Sequence, residues 1–303
     1  MEGGIAWKHC HCRTRLRYGS RRLEDFEFHA GLVLARSEAL LIDPGLLPDE
    51  IDALSHRIPT SEDFASRVVL THGHWDHVLG PERMISVPTI AHEDFPTGDA
   101  DPRRERIVTQ VARRSNDQAL TRSGNFAVPL PDETFSSARE LSIGGIPIWL
   151  LHTPGHSPDH AVVYLKEEGL LWSADMLSEA EIPYVCQSLV EYERTLERLS
   201  QLPVRTLIPT HGFLTRDKTE IRRRFDTDRT YLGELHRRVT QAISESRSVD
   251  ETVELCADMT FPNRDQNKRP HRMNVEHAYC EFGGEGDPAC LGWNRLYVSN
   301  DAG

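Results

Sequence analysis

The chain has 303 residues, a length for one large domain or two small ones and enough for a sizeable buried core. A net charge of −12 with only 7% aromatic residues excludes a generic polyanion binder. At 38% apolar and 27% charged, the composition is that of a soluble globular protein.

The apolar stretches Leu40–Ile42 and Ile148–Leu151 fall far short of the ~20 residues a bilayer helix needs, so no membrane partner is expected. The N-terminus lacks the apolar core of a secretory signal, while Arg13, Arg15, Arg17, Arg21 and Arg22 leave an organellar transit reading open. Six cysteines are too few for a disulfide scaffold, and a cytoplasmic setting is the expectation. The His9-Cys10-His11-Cys12 stretch has the look of a metal clip, but four adjacent residues wrap one tetrahedral ion poorly.

In chain order, no element is assigned before residue 28. The apolar runs Gly31–Leu34 and Ala39–Ile42, separated by Arg36-Ser37-Glu38, predict a hairpin that Asp43-Pro44-Gly45 ends. A short helix is predicted over Asp49–Ile58, and a buried strand over Arg67–Leu70. The polar stretch from Pro81 to Pro131 holds an Arg-rich helix around Arg103–Arg122. Gly145–Leu151, Ala161–Leu165 and Leu170–Ser173 read as strands. Leu189, Tyr192, Leu196 and Leu199 make one stripe of a helix over Leu189–Leu202. Arg205–Ile208 returns to strand, Asp217–Ser246 reads as a long charged helix, and the last stretch, with HRMNVEHAYCEFGG, has no assignment.

The chemistry concentrates where strands end, which is where α/β proteins place reactive side chains. His72-x-His74-x-Asp76-His77 follows the Arg67–Leu70 strand. Residues two apart in an extended loop point the same way, so His72 and His74 can chelate one cation, while Asp76 and His77 can face a second. Imidazole and carboxylate suit zinc, manganese or iron. One loop cannot complete two coordination spheres, and His156, Asp175 and His211 are further candidates at strand ends.

Here the sequence resembles the metallo-β-lactamase-fold hydrolases, above all their glyoxalase II-like branch. LIDPG, THGHWDH, HTPGHS, LLWSAD and IPTHG occur in that family's order between about Phe28 and Gly212. The resemblance implies an αββα sandwich of mixed α/β class. Residues 1–27 would be an N-terminal segment, 28–216 the catalytic domain and 217–303 a mainly helical extension. It further implies that His72, His74 and His156 bind a first ion, that Asp76, His77 and His211 bind a second, that Asp175 bridges them, and that Asp43 orients the ligands from behind. Two departures from the family pattern stand out: Leu79-Gly80 where Gly-Gly is common, and Ala174 where Gly often precedes the bridging aspartate.

Two divalent ions, zinc first with iron and manganese also suited, would ionise one water for attack on an acyl carbon, with Asp76 accepting or relaying the proton. The expected function is hydrolysis of a small thioester, ester or lactone. A phosphodiesterase or ribonuclease and a mononuclear iron persulfide dioxygenase, using His72, His156 and Asp175, are the alternatives on this fold. A non-catalytic metal-binding module ranks last. The net charge speaks against a nucleic-acid partner, and a homo-oligomer is compatible with the sequence. Of the remaining residues, His152 and His160 read as hydrogen-bonding neighbours or substrate contacts, and Trp75 and Trp172 as packing. The arginines at 103–106, 113–114 and 222–224 read as solvated helix faces, with an anion-binding role for one group as the alternative, and Cys186, Cys256, Cys280 and Cys290 as buried thiols or surface cysteines.

Overall fold

The computed structural model describes residues 6–11, 15–23, 26–59, 64–84, 86–98, 100–114 and 126–284, the part before residue 28 by its backbone alone. The chain divides into two compact units, Met1–His152 with Asp159–Ala174, and Thr153–Pro158 with Asp175–Gly303. Among the described residues there are two sheets and six α-helices, a mixed α/β fold, and no helix is long and apolar enough to cross a membrane.

In the first unit, β1 (Ala6–His11), β2 (Arg15–Leu23), β3 (Phe26–Leu34) and β4 (Glu38–Ile42) form an antiparallel meander. The predicted hairpin is thus present, with Gly31 opposite Ile42 and the turn closed by Ala35 N–H on the Glu38 carbonyl at 2.9 Å. β5 (Ala65–Val69), β6 (Thr89–His92) and β7 (Glu133–Phe135) then add in parallel beyond β4. A second sheet runs β8 (Ala138–Ile143), β9 (Ile146–His152), β10 (Ala161–Leu165) and β11 (Leu170–Ala174), antiparallel throughout.

Strand periodicity gives the first sheet two working faces. Phe28, Ala30, Leu32, Leu41, Val68 and Leu70 share a core with Ile51 and Leu54 of α1 (Pro48–Ser55) and Ile107 and Val111 of α2 (Pro102–Arg114). The opposite face meets the second sheet, where the fully buried Trp172 ring would lie 3.1 Å from a Cβ placed on Gly31. Burying a ring of this size contributes on the order of 2–3 kcal/mol, so packing is the role of Trp172. The arginine helix ends its described course at Arg114; the predicted stretch beyond it lies outside the described residues. The side chains of the His9–Cys12 clip and Cys290 also lie outside them.

In the second unit, β12 (Thr206–Pro209) precedes the helices α4 (Lys218–Ser244), α5 (Val249–Cys256) and α6 (Arg264–Glu281); α3 (Leu189–Ser200) comes earlier in the chain. The α3 stripe predicted from the sequence is buried at all four positions. Ser188 caps α3 by accepting from Glu191 N–H at 3.1 Å, and Ser248 with Glu251 forms a capping box on α5. Arg224 departs from its expected solvated face. It is buried and paired with Glu179 at 3.0 Å and Glu220 at 2.9 Å, because an unpaired guanidinium could not enter this core. Hydrogen bonds from Arg223 and Arg224 hold the Glu220 carboxyl down at about 2. Cys186, Cys256 and Cys280 form no disulfide.

The tail left unassigned from sequence folds as α5 and α6 around a polar core. Asn274 donates to the Tyr231 hydroxyl at 3.0 Å, Tyr231 donates to His271 Nδ1 at 2.9 Å, and His271 Nε2–H donates to the Cys256 carbonyl at 3.0 Å. Burial holds His271 below the ordinary imidazole range. As pH falls through about 6.5, the unfolded chain takes up this proton and the folded chain does not, so stability is complete above 6.5 and declines below it. Urea unfolding at pH 7.5 and 5.5 should show this loss shrink in His271→Gln, by up to about 1.4 kcal/mol. Equal losses in the two proteins would contradict the assignment.

Candidate metal centre

In the first unit the parallel strand β5 delivers Thr71 to the start of the histidine loop. Thr71 N–H donates to Asp43 Oδ1 at 2.8 Å and its hydroxyl to Asp43 Oδ2 at 2.6 Å. Asp43 sits at φ +42°, a left-handed turn that aspartate tolerates better than most residues and that points its carboxylate into the fold. The same Oδ2 accepts from His77 Nδ1–H at 2.9 Å. Since the Thr71 hydroxyl proton is committed to Asp43, His72 Nδ1 at 3.2 Å is the donor to Thr71 Oγ1. Both assignments leave the lone pair on Nε2, the nitrogen turned away from this support. The His72 ring lies 4.4 Å from that of His74 and 4.0 Å from that of His77, and Asp76 Oδ2 is 3.8 Å from His77 Nε2. The first unit therefore gathers four of the predicted ligands and their supporting aspartate.

The loop is held from other directions by residues not singled out from the sequence. Asp159 accepts from Gly73 N–H at 2.6 Å, and the Thr71 carbonyl accepts from Ala161 N–H at 2.9 Å. Asp159 sits inside HTPGHSPDH, where an acidic residue before a buried strand was the available signal. His160 is buried with its ring 5.2 Å from His72, while Trp75 is buried as packing. The Leu79-Gly80 departure has a physical reading: Leu79 fills the core, and a Cβ on Gly80 would meet Pro44 at 2.3 Å. Ala174 takes φ +49°, the strained region a glycine would enter without cost.

In the second unit Asp175 addresses two imidazoles with its two oxygens. Oδ2 is 3.4 Å from His156 Nε2, and Oδ1 is 3.5 Å from His211 Nε2. His156 Nδ1–H donates to the Tyr184 carbonyl at 3.0 Å, which leaves its lone pair on Nε2, facing the carboxylate. Gly155, at φ +126°, permits the approach of α3, since a Cβ there would lie 2.3 Å from Tyr192 Cα. After His211, both oxygens of Glu179 accept from Phe213 N–H, at 2.8 and 3.0 Å, and fix the turn. Neither Tyr184 nor Glu179 carries a sequence signal, because one acts through its backbone and the other from a distant loop. Cys186, 3.3 Å from the Tyr184 carbonyl, stays a thiol because burial pushes its proton affinity up.

Such donor sets fit divalent transition ions: imidazole lone pairs and carboxylate oxygens at separations of 3.4–3.5 Å have like polarity and gain from a cation between them. Elsewhere in the first unit, His92, Asp94 and His152 bring ligand-type atoms within 4.8 Å of one another. The His92 and His152 rings stack 3.7 Å apart at 14°, and His92 Nε2–H donates to the Ser136 carbonyl. Parallel rings send their lone pairs side by side rather than to one point, so this trio is a packed stack joining the ends of β6 and β9.

Comparison with known proteins agrees with this reading of the fold. The metallo-beta-lactamase superfamily model matches residues 29–211. The Caenorhabditis elegans "Beta-lactamase-like protein 2 homolog" is 26% identical over 178 residues, covering 58% of this chain and 52% of its own length. A "Linear primary-alkylsulfatase" from a Pseudomonas species is 20% identical over 256 residues, covering 74% of this chain and 48% of its own length. The chain thus spans about half the length of these curated relatives. The Bacillus subtilis "Probable metallo-hydrolase YqjP" is 30% identical over 240 residues, with 67% of this chain and 74% of its own length covered. A metallo-beta-lactamase family protein from Thermus thermophilus superimposes with a TM-score of 0.63 at 20% identity, over 90% of this chain and 96% of that one, which shows a common fold. With the family match extending over more than half of its residues, and over every segment that carries the histidines and aspartates above, the chain belongs to the metallo-beta-lactamase superfamily.

Proposed function

We propose that the chain is a dinuclear metal-dependent hydrolase acting on a small thioester, ester or lactone, with 28–216 as the catalytic domain and 217–303 as a helical extension. His72, His74 and His156 would hold one ion and Asp76, His77 and His211 the other, with Asp175 shared and Asp43 orienting His77. The observation that carries this reading is Asp175, whose two oxygens each face a different imidazole, so that one carboxylate could serve two ions. Zinc is the first choice of metal, and iron and manganese suit the same donors.

When bound, the ions supply an electrophile for the substrate carbonyl and acidify a water. The residues of the chain do the rest. The Asp76 carboxylate takes the proton of the attacking water, whose oxygen bonds to the acyl carbon. The acyl–sulfur or acyl–oxygen bond then breaks, and the leaving atom takes its electron pair and, finally, that proton. Asp43 and the Tyr184 carbonyl keep protons on the Nδ1 atoms of His77 and His156, so both rings present Nε2. A second reading, hydrolysis of an alkyl sulfate, gains support from the reach of the alkylsulfatase likeness over 256 residues, more than the family domain.

The test is a substrate panel run on protein stripped by a chelator and on protein reloaded with zinc. Thioester, ester and lactone are expected to turn over only in the reloaded protein, by several kcal/mol of barrier or about 10³-fold. Alkyl sulfate as the preferred substrate would select the second reading. A preference for a phosphodiester, or oxygen uptake with a persulfide, would overturn the acyl assignment, and undiminished turnover after stripping would overturn the metal mechanism itself.

A further inference from the structure

We infer that α6 is a positioning element for His156 and that Asn274 is its central residue, an inference that rests on the metal-centre reading above. Asn274 is 3% exposed and straddles Tyr184: its Nδ2 donates to the Pro183 carbonyl at 2.7 Å and its Oδ1 accepts from Val185 N–H at 2.9 Å. The residue between those two contacts supplies the carbonyl that accepts from His156 Nδ1 at 3.0 Å. The orientation of the Asn274 amide is dictated, because a carbonyl and an N–H demand opposite ends of it. Its second Nδ2 proton goes to Tyr231, which is itself held by His271.

The same face of α6 continues the grip. Three and seven residues beyond Asn274, His277 Nε2–H donates to the Gln187 carbonyl at 3.0 Å and Glu281 accepts from Leu189 N–H at 2.7 Å. The strip from Pro183 to Leu189 is in turn bonded to the ligand loop, with Cys186 N–H on the His156 carbonyl and Gln187 N–H on the Gly155 carbonyl, both at 3.2 Å. Asn274, His277 and Glu281 thus form a polar stripe that clamps one strip of chain, and that strip aims His156 Nε2 at Asp175. This gives the NVEHAYCE stretch a role: it supports a ligand from outside the ligand segments.

Groups that orient metal-binding histidines typically cost about 10–100-fold in metal affinity when removed. The test is Co²⁺ titration of the metal-stripped full chain, followed by visible absorption, alongside thermal melts. Asn274→Ala should weaken one of the bound ions by about 10–100-fold. Asn274→Asp, which keeps the shape and the acceptor for Val185 N–H but turns an oxygen toward the Pro183 carbonyl and loses the donor to Tyr231, should show a loss at the same ion at least as large, with the melts reporting whether each variant is folded. Asn267→Ala removes contacts of the same helix to the Ala180 and Pro262 carbonyls, and should lower the melting temperature without changing Co²⁺ affinity. Wild-type affinity in the folded Asn274 variants, or an equal loss in Asn267→Ala, would overturn the inference. Failure of the wild type to take up Co²⁺ would instead overturn the metal-centre reading beneath it.

Discussion

Asp175→Ala is expected to remove turnover by about 10³-fold or more while leaving the fold in place. Its carboxylate stands 3.4 Å from His156 Nε2 and 3.5 Å from His211 Nε2, one oxygen to each, so the substitution takes one donor from both proposed ions at once. Asp175 contributes little to the apolar core, and far-UV circular dichroism should match the wild type. Metal content should fall, and added zinc should not restore the rate. Near wild-type turnover with retained metal would show that this carboxylate is not shared between two ions.

Asp43 produces the other large effect, and two variants separate its two roles. Asp43→Ala strips Thr71 N–H, the Thr71 hydroxyl and His77 Nδ1–H of their acceptor in a fully buried setting. Removing one partner from such a network costs about 3–5 kcal/mol, read as a lower urea midpoint at unchanged slope. Asp43→Asn preserves the shape and the left-handed backbone, which asparagine also tolerates. In this second variant, however, an amide N–H replaces the acceptor facing His77 Nδ1. The imidazole then accepts at Nδ1 and carries its proton on Nε2, the nitrogen the proposed ion needs. The expected result is a smaller stability loss than in Asp43→Ala, with metal affinity down about 10–100-fold. Parallel losses of stability and affinity in both variants would mean that Asp43 acts through the fold alone.

What the sequence discloses follows from where the free energy lies. β10 runs over Ala161–Leu165 as the apolar run indicates, and α3 starts at Leu189, because both elements bury continuous or periodic apolar residues. THGHWDH is legible for another reason: ligand chemistry demands particular side chains at fixed spacing, whatever the packing. β6 is hidden because Thr89-Ile90-Ala91-His92 is only four residues long and gains its stability from parallel neighbours far away in sequence. α6 is hidden because its buried apolar residues, Val275, Ala278 and Tyr279, are confined to one stretch, while Asn267, His271, Asn274 and His277 are buried through hydrogen bonds, and because Pro270 interrupts its helical pattern. A polar stripe of this kind has no hydrophobic periodicity to read. The same explains Arg224, a charged residue on an exposed-looking helix whose partner Glu179 lies far back in the chain. The supports of the candidate ligands are likewise out of reach: the Tyr184 carbonyl is a backbone atom, and Thr71 is an ordinary strand-end residue until Asp43 folds against it.

The most direct measurement is anomalous diffraction at the zinc edge from crystals of the zinc-loaded protein. Two peaks are predicted beside Asp175, the first held also by His156 and the second also by His211. A single peak away from that carboxylate, or none at all, would contradict the proposal that this chain works through a pair of metal ions.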